Sequence, residues 1–124
     1  KLVTVTVTGA ASDADADAVA RAIANSPLVK TCIAGHDANW GRVAAAAGKC
    51  GVPFEQTDVD IDFMGVPVCR KGLTVPMDEE DMLRRFEQPE ISIAVNIGMG
   101  SASCRIWTCD LTHDYVTING DYRT

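Results

Sequence analysis

Three stretches of this chain alternate apolar and polar residues with a period of two, and nothing else in it constrains the fold as tightly. Val3, Val5 and Val7 alternate with Thr4, Thr6 and Thr8. Val59, Ile61 and Phe63 alternate with Asp58, Asp60 and Asp62. Ile91, Ile93, Val95 and Ile97 alternate with Ser92, Ala94 and Asn96. Only extended backbone sends successive side chains to opposite faces, so each run reads as a strand with one dry and one wet side. The first run is in strand register from its first residues. It has neither the continuous apolar stretch nor the small-residue cleavage site of a signal peptide. A chain that opens mid-strand on Lys1 rather than Met reads as a processed product or a fragment.

Between the strands the period changes to that of a helix. Ser12 is placed to cap a helix whose first turn holds Asp13 and Asp15, where the helix dipole favours acids. Ala16, Val19, Ala20 and Ile23 then recur on one face. Ser26 and Pro27 open a short second helix carrying Leu28, Val29, Cys32 and Ile33, with Pro at the first helical position. Asp37 is positioned to cap a third helix that runs through Trp40 and Val43 to Ala47 and stops at Gly48. Glycines at 65 and 72 turn a short meander from Val66 to Val75. Asp78 to Asp81 preceding Arg84 and Arg85, with Met82, Leu83 and Phe86 on one side, predicts a helix ended by Pro89.

Gly98-Met99-Gly100-Ser101 reads as a hairpin turn leading into a last strand from Ala102 to Cys109. The tail from Leu111 to Tyr122 is compatible with a short helix. The whole predicts a single domain of the α+β class, its helices packed on a mainly antiparallel or mixed β-sheet.

Composition closes off several functions. A net charge of −6, without clustered Lys or Arg, argues against nucleic acid. No apolar run approaches the roughly 20 residues that cross a bilayer. The five cysteines, Cys32, Cys50, Cys69, Cys104 and Cys109, contain no C-x-x-C pair, which removes zinc ribbons and thioredoxin-like motifs. Most lie within apolar stretches, where free Cys behaves as a small hydrophobe, and a reducing compartment is the simpler reading.

Four short patterns are weaker than they look. Asp13-Ala14-Asp15-Ala16-Asp17 opens like a calcium loop, yet Ala18 and Ala24 stand where that loop needs Gly and Glu. Asp58, Asp60 and Asp62 read as a solvated strand face. Gly98-Met99-Gly100 leads into a strand, whereas a dinucleotide site needs glycines that lead into a helix. Cys109 near His113 suggests a nucleophile pair, but such pairs are assembled by the fold rather than by local sequence, so structural hydrogen bonding is the first reading of both His36 and His113.

Two segments are too elaborate for packing alone. Gly35-His36-Asp37-Ala38-Asn39-Trp40-Gly41-Arg42 gathers a Trp, an Arg and side-chain hydrogen bonders between glycines, and reads as a loop-to-helix corner with a buried Trp. Trp107 to Thr124 stays dense in aromatic, amide, hydroxyl and charged groups to its last residue, where termini ordinarily fray. A terminal carboxylate beside Asn119 and Arg123 is suited to hold an amino acid through its ammonium and carboxylate groups.

Taken with Asn25-Ser26-Pro27-Leu28-Val29-Lys30-Thr31, these segments resemble the C-terminal part of the bifunctional ornithine acetyltransferase / N-acetylglutamate synthase family of arginine biosynthesis. The resemblance covers essentially all of the chain, making residues 1–124 the C-terminal domain of that enzyme's β subunit. It implies a cytoplasmic precursor (mitochondrial or plastid in a eukaryote) that cleaves itself into α and β subunits. The new N-terminal Thr becomes the nucleophile and its own amine the base. Acetyl passes from N-acetylornithine to that Thr and then to glutamate, without metal or organic cofactor, and acetyl-CoA is a further donor in some members.

The nucleophile, the oxyanion hole and the α subunit are not in this sequence, so the chain alone is expected to be inactive. Its partners would be the α subunit and the N-terminal part of the β subunit, in a hetero-oligomer. By resemblance the substrate-binding positions here are Asn119 and Thr124, and the Gly35–Arg42 corner has a structural or subunit-contact role. Two alternatives stay open: a contact module that never touches substrate, and a related self-cleaving amidohydrolase or aminopeptidase.

Overall fold

A computed structural model of the chain describes residues 1–123. Strand β1, Leu2–Ala10, is followed by three helices, α1 (Asp13–Ala24), α2 (Pro27–Ala34) and α3 (Trp40–Gly48). After a single 3-10 turn at Gln56–Asp58 come β2 (Asp60–Phe63), β3 (Val66–Arg70) and β4 (Leu73–Thr74). Helix α4 (Glu79–Phe86), strands β5 (Glu90–Asn96) and β6 (Ala102–Cys109), and helix α5 (His113–Asp121) complete it. The six strands form one sheet in the order β4-β3-β2-β5-β1-β6. Among the described residues only β1 and β5 run parallel; every other pairing is antiparallel. This is the expected α+β domain with a mixed, mainly antiparallel sheet.

The dry face of each alternating run supplies the core. Val3, Val5, Val7, Ile61, Phe63, Ile91, Ile93 and Val95 are buried against Ala16, Val19, Ala20 and Ile23 of α1 and Val43 of α3. The wet face stays in contact with solvent: Glu90, Ser92, Ala94 and Asn96 are exposed and Thr4 and Thr6 half-buried. The caps at Ser12 and Ser26 form as expected, each side chain accepting from the backbone N–H three residues on, at 3.1 and 3.3 Å.

Four expectations are corrected. The segment Gly98–Ser101 is not a hairpin turn, because β1 lies between β5 and β6. The connection instead crosses the end of β1, where the N–H groups of Met99 and Gly100 donate to the Gly9 carbonyl at 2.6 and 2.9 Å. Period-two patterning sets which way side chains face and is silent about which strands are neighbours. Helix α3 is capped by Asn39, which accepts from the Arg42 N–H at 3.1 Å, while Asp37 instead accepts from the Asn39 side-chain amide. Gly48 is the last residue of α3 rather than its stop. Trp40 is half-buried, its indole N–H donating to Thr74 Oγ1 at 3.3 Å, so the corner shields the ring without enclosing it.

Candidate functional site

The three segments that made the sequence recognisable lie apart in the chain and come together around α2. From one side, Arg42 Nη1 donates to the Leu28 carbonyl at 3.0 Å and reaches Thr31 Oγ1 at 3.4 Å. From the other, the Leu111 N–H donates to the Lys30 carbonyl at 3.2 Å. Thr108 Oγ1 donates to the Ala24 carbonyl at 3.1 Å, tying β6 to the end of α1. The two other recognisable segments thus both bond to carbonyls of α2.

The Gly35–Arg42 corner is rigid for identifiable reasons. Its His36 takes a left-handed backbone conformation, φ 55°, which His tolerates better than most residues. The imidazole stacks on Phe86 with ring centroids 5.5 Å apart and planes 9° from parallel. The Asp37 N–H donates to the Cys32 carbonyl at 2.9 Å, closing α2. The Trp40 indole and the Arg42 guanidinium extend these contacts to Thr74 and to α2.

Asp60 and Asp62 share one face of β2 and line a shallow cavity with Arg70 and Asn96, while Asp58 stands apart. Asp62 accepts from Arg70 Nη1 at 2.6 Å, Asp60 accepts from the Lys71 N–H at 2.9 Å, and Asp58 sits in the 3-10 turn. The hydrogen bond that Arg70 donates to Asp62 raises the guanidinium pKa. Cys109 and His113 lie at the end of β6 and the start of α5, and no hydrogen bond joins them among the described residues.

Of the two residues expected to touch substrate, Asn119 lies two turns into α5 and is exposed. Its side-chain amide donates to the Tyr115 carbonyl one turn back at 2.8 Å. That bond uses the donor end of the amide, and among the described residues Oδ1 accepts no hydrogen bond. Thr124 lies outside the described residues. Tyr115, Ile118 and Asn119 recur at helical spacing and share one face of α5, so the amide is flanked by an aromatic and an apolar group.

Sequence reasoning missed one feature. Between α2 and α5 lies a groove of about 540 Å³, lined by Thr31, Ala34, Gly35, Leu111, His113 and Val116. Its signal was present in the small residues Thr31, Ala34 and Gly35, which share one face of α2 at the spacing i, i+3, i+4.

Comparison with known proteins adds to this geometry. A model of the ArgJ family matches residues 1–124. The arginine biosynthesis bifunctional protein ArgJ of Zymomonas mobilis subsp. mobilis is 50% identical over 125 residues, which are 100% of this chain and 31% of that protein. The protein of the same name from Bradyrhizobium diazoefficiens is 51% identical, again across 100% of this chain and 30% of its own length. Among solved structures, the arginine biosynthesis bifunctional protein argJ of Bacillus halodurans superimposes with a TM-score of 0.94 at 40% identity. That match takes in 98% of this chain and 58% of the solved one. The chain therefore spans a little under a third of the length of these curated relatives.

Proposed function

The chain belongs to the ArgJ family, and from that premise we propose that it is the C-terminal part of a self-processed glutamate N-acetyltransferase of arginine biosynthesis. The observation that carries the reading is the match of the family along all of residues 1–124, with relatives named as arginine biosynthesis bifunctional proteins at about half identity. In this reading acetyl moves from N-acetylornithine to a Thr nucleophile outside this chain and from there to glutamate. Acetyl-CoA is an additional donor if the enzyme is bifunctional, as the names of its relatives say of them. The α subunit and the N-terminal part of the β subunit complete the enzyme, in the cytoplasm.

The contribution of this chain is one wall of the amino-acid site. Asn119 Oδ1 accepts from the substrate ammonium, a role supported by its amide N–H being engaged with the Tyr115 carbonyl, which leaves the oxygen as the free end of the group. Thr124 supplies a second polar contact. Neither residue performs bond-making chemistry. Each holds the amino acid so that the carbonyl meets the nucleophile, and positioning of this kind accounts for large parts of enzymatic rate.

The test is kinetic, in the complete cleaved enzyme. Asn119→Ala and deletion of Thr124 should each lower kcat/KM for N-acetylornithine by about tenfold or more, through KM, with thermal stability unchanged. Unchanged kinetics would remove the assignment. A loss of stability with normal substrate affinity would make the chain a contact module instead. Measuring acetyl transfer to glutamate against release to water separates the transferase from a related hydrolase.

A further inference from the structure

Thr108 lies in β6 and Leu111 two residues beyond its end, and both bond to the corner where α1 gives way to α2. Thr108 Oγ1 donates to the Ala24 carbonyl at 3.1 Å. Ala24 is the last residue of α1, where carbonyls lack helical donors. No other hydrogen bond to that oxygen is found among the described residues. The Leu111 N–H donates to the Lys30 carbonyl of α2 at 3.2 Å. Past Leu111, no hydrogen bond joins α5 to another element among the described residues. The Tyr115 N–H returns to Thr112, the Tyr122 N–H to Ile118 and the Asn119 amide to Tyr115, while the Thr112 side chain makes no capping bond. Within this chain, the polar contacts that set the direction in which α5 leaves the sheet are the two that precede it.

We propose that Thr108 is a positioning residue for the amino-acid site, acting through α5 on Asn119. The proposal rests on the reading of Asn119 as a substrate contact given above and adds the residue that aims it. Thr108 is half-buried and stands opposite Val3 of β1, on the face of the sheet that the helices cover. Its β-branched side chain is stiff at χ1, so the hydroxyl is a fixed donor from the sheet to the end of α1. Asn119 stands seven residues beyond Thr112, which at the helical rise puts it about 10 Å from the start of α5. At that distance a tilt of about 10° displaces the amide by about 2 Å, and a misplacement of about 1 Å can lower a rate by about a hundredfold. The bond between the Asn119 amide and the Tyr115 carbonyl lies inside the helix, so the side chain follows the axis. Loss of one bond at the base of α5 is thereby magnified where the substrate ammonium is held.

Steady-state kinetics of the complete cleaved enzyme test this. Thr108→Val keeps the shape and strand preference of Thr and removes only the donor. It should raise KM for N-acetylornithine about five- to tenfold, with kcat changed less than about twofold. Thr108→Ser, which keeps the hydroxyl, should return KM to within about twofold of the parent. Thr108→Ala lacks the donor in a smaller side chain and should shift KM as the valine does, which covers a valine enzyme that fails to fold. In an Asn119→Ala background, Thr108→Val should raise KM no further, because the two act on one contact. A parental KM in both donorless variants overturns the proposal. So does a KM rise that serine leaves in place, or one that adds in full to that of Asn119→Ala. Asn119→Ala alone keeps the two ideas apart. Impaired binding there beside a normal Thr108→Val enzyme removes the positioning role and leaves the substrate contact standing. Parental kinetics of Asn119→Ala remove the substrate contact, and the positioning role with it.

Discussion

Gly9 lies directly beneath the side chain of Asn96, so close that a Cβ at position 9 would overlap Asn96 Oδ1 and come within 3.0 Å of the Gly98 backbone nitrogen. Here β1 ends against the exit of β5, and Asn96 Oδ1 accepts from the Gly98 N–H at 2.9 Å. Gly9 also has φ +69°, a conformation that L side chains rarely adopt. Replacement therefore meets steric overlap and backbone strain together. Gly9→Ala should destabilise the chain by roughly 2–4 kcal/mol, because both penalties act on the folded state. Urea unfolding followed by circular dichroism gives the value directly, and a shift below about 0.5 kcal/mol would show that the contact relaxes freely.

Phe86 holds α4 to the sheet. It is fully buried, lies 6.1 Å from Phe63 by ring centroids, and carries the stacked His36 on its other side. Phe86→Ala should cost about 3–5 kcal/mol, the range for a large core aromatic. It should also release the Gly35–Arg42 corner, seen as increased proteolysis near His36. Phe86→Leu, which keeps most of the volume, should restore much of the stability and less of the order at His36.

The cysteines should separate by burial. Burial pushes the Cys32 and Cys69 thiols above their ordinary pKa, and neither presents a thiolate near neutral pH. Cys109 is exposed. Iodoacetamide at pH 7.5 should label Cys109 first, with Cys32 and Cys69 modified only after denaturant is added. Peptide mapping reads the order, and early labelling of Cys32 would contradict the closed core beneath α2.

Asp81 provides a pH test. Its carboxylate accepts from Arg85 Nε at 2.7 Å, and this hydrogen bond, with the nearby Arg85 and Arg84 charges, holds its pKa below the ordinary value of 3.8. A group whose folded pKa is lowered stabilises the fold above its unfolded pKa, and that contribution disappears as pH falls through the folded value. The pair is exposed, so the effect is small. Asp81→Asn should lower Tm slightly at pH 6 and progressively less as pH falls below 3.8, whereas an equal loss at every pH would implicate packing rather than charge.

The elements that could be read in the sequence were those encoded locally. Ser12 and Ser26 announce their helices because a cap bonds three residues away. Val3, Val5 and Val7 announce a strand because alternation is a property of adjacent residues. Asp37 misled because both it and Asn39 are good caps, and the choice was made by Asp37 serving as acceptor for Asn39. The placement of β1 between β5 and β6 was invisible, since strand partners depend on distant sequence. For the candidate site the residue types were legible and the setting was not. Nothing local to Asn119 reveals that its helix stands clear of the core, or that α2 receives bonds from both Arg42 and Leu111.

The parallel pairing of β1 with β5 also sets an order of events for folding. Leu2 is in register with Glu90 on one side and Cys109 on the other, so the first strand has no partner until the last third of the chain exists. Chains dominated by such distant pairings fold slowly, because the closure entropy of a long loop precedes any reward. During synthesis the Val-Thr ribbon of β1 waits for both of these partners, and its Thr side chains keep one face wet before and after β5 and β6 emerge to pair with its edges.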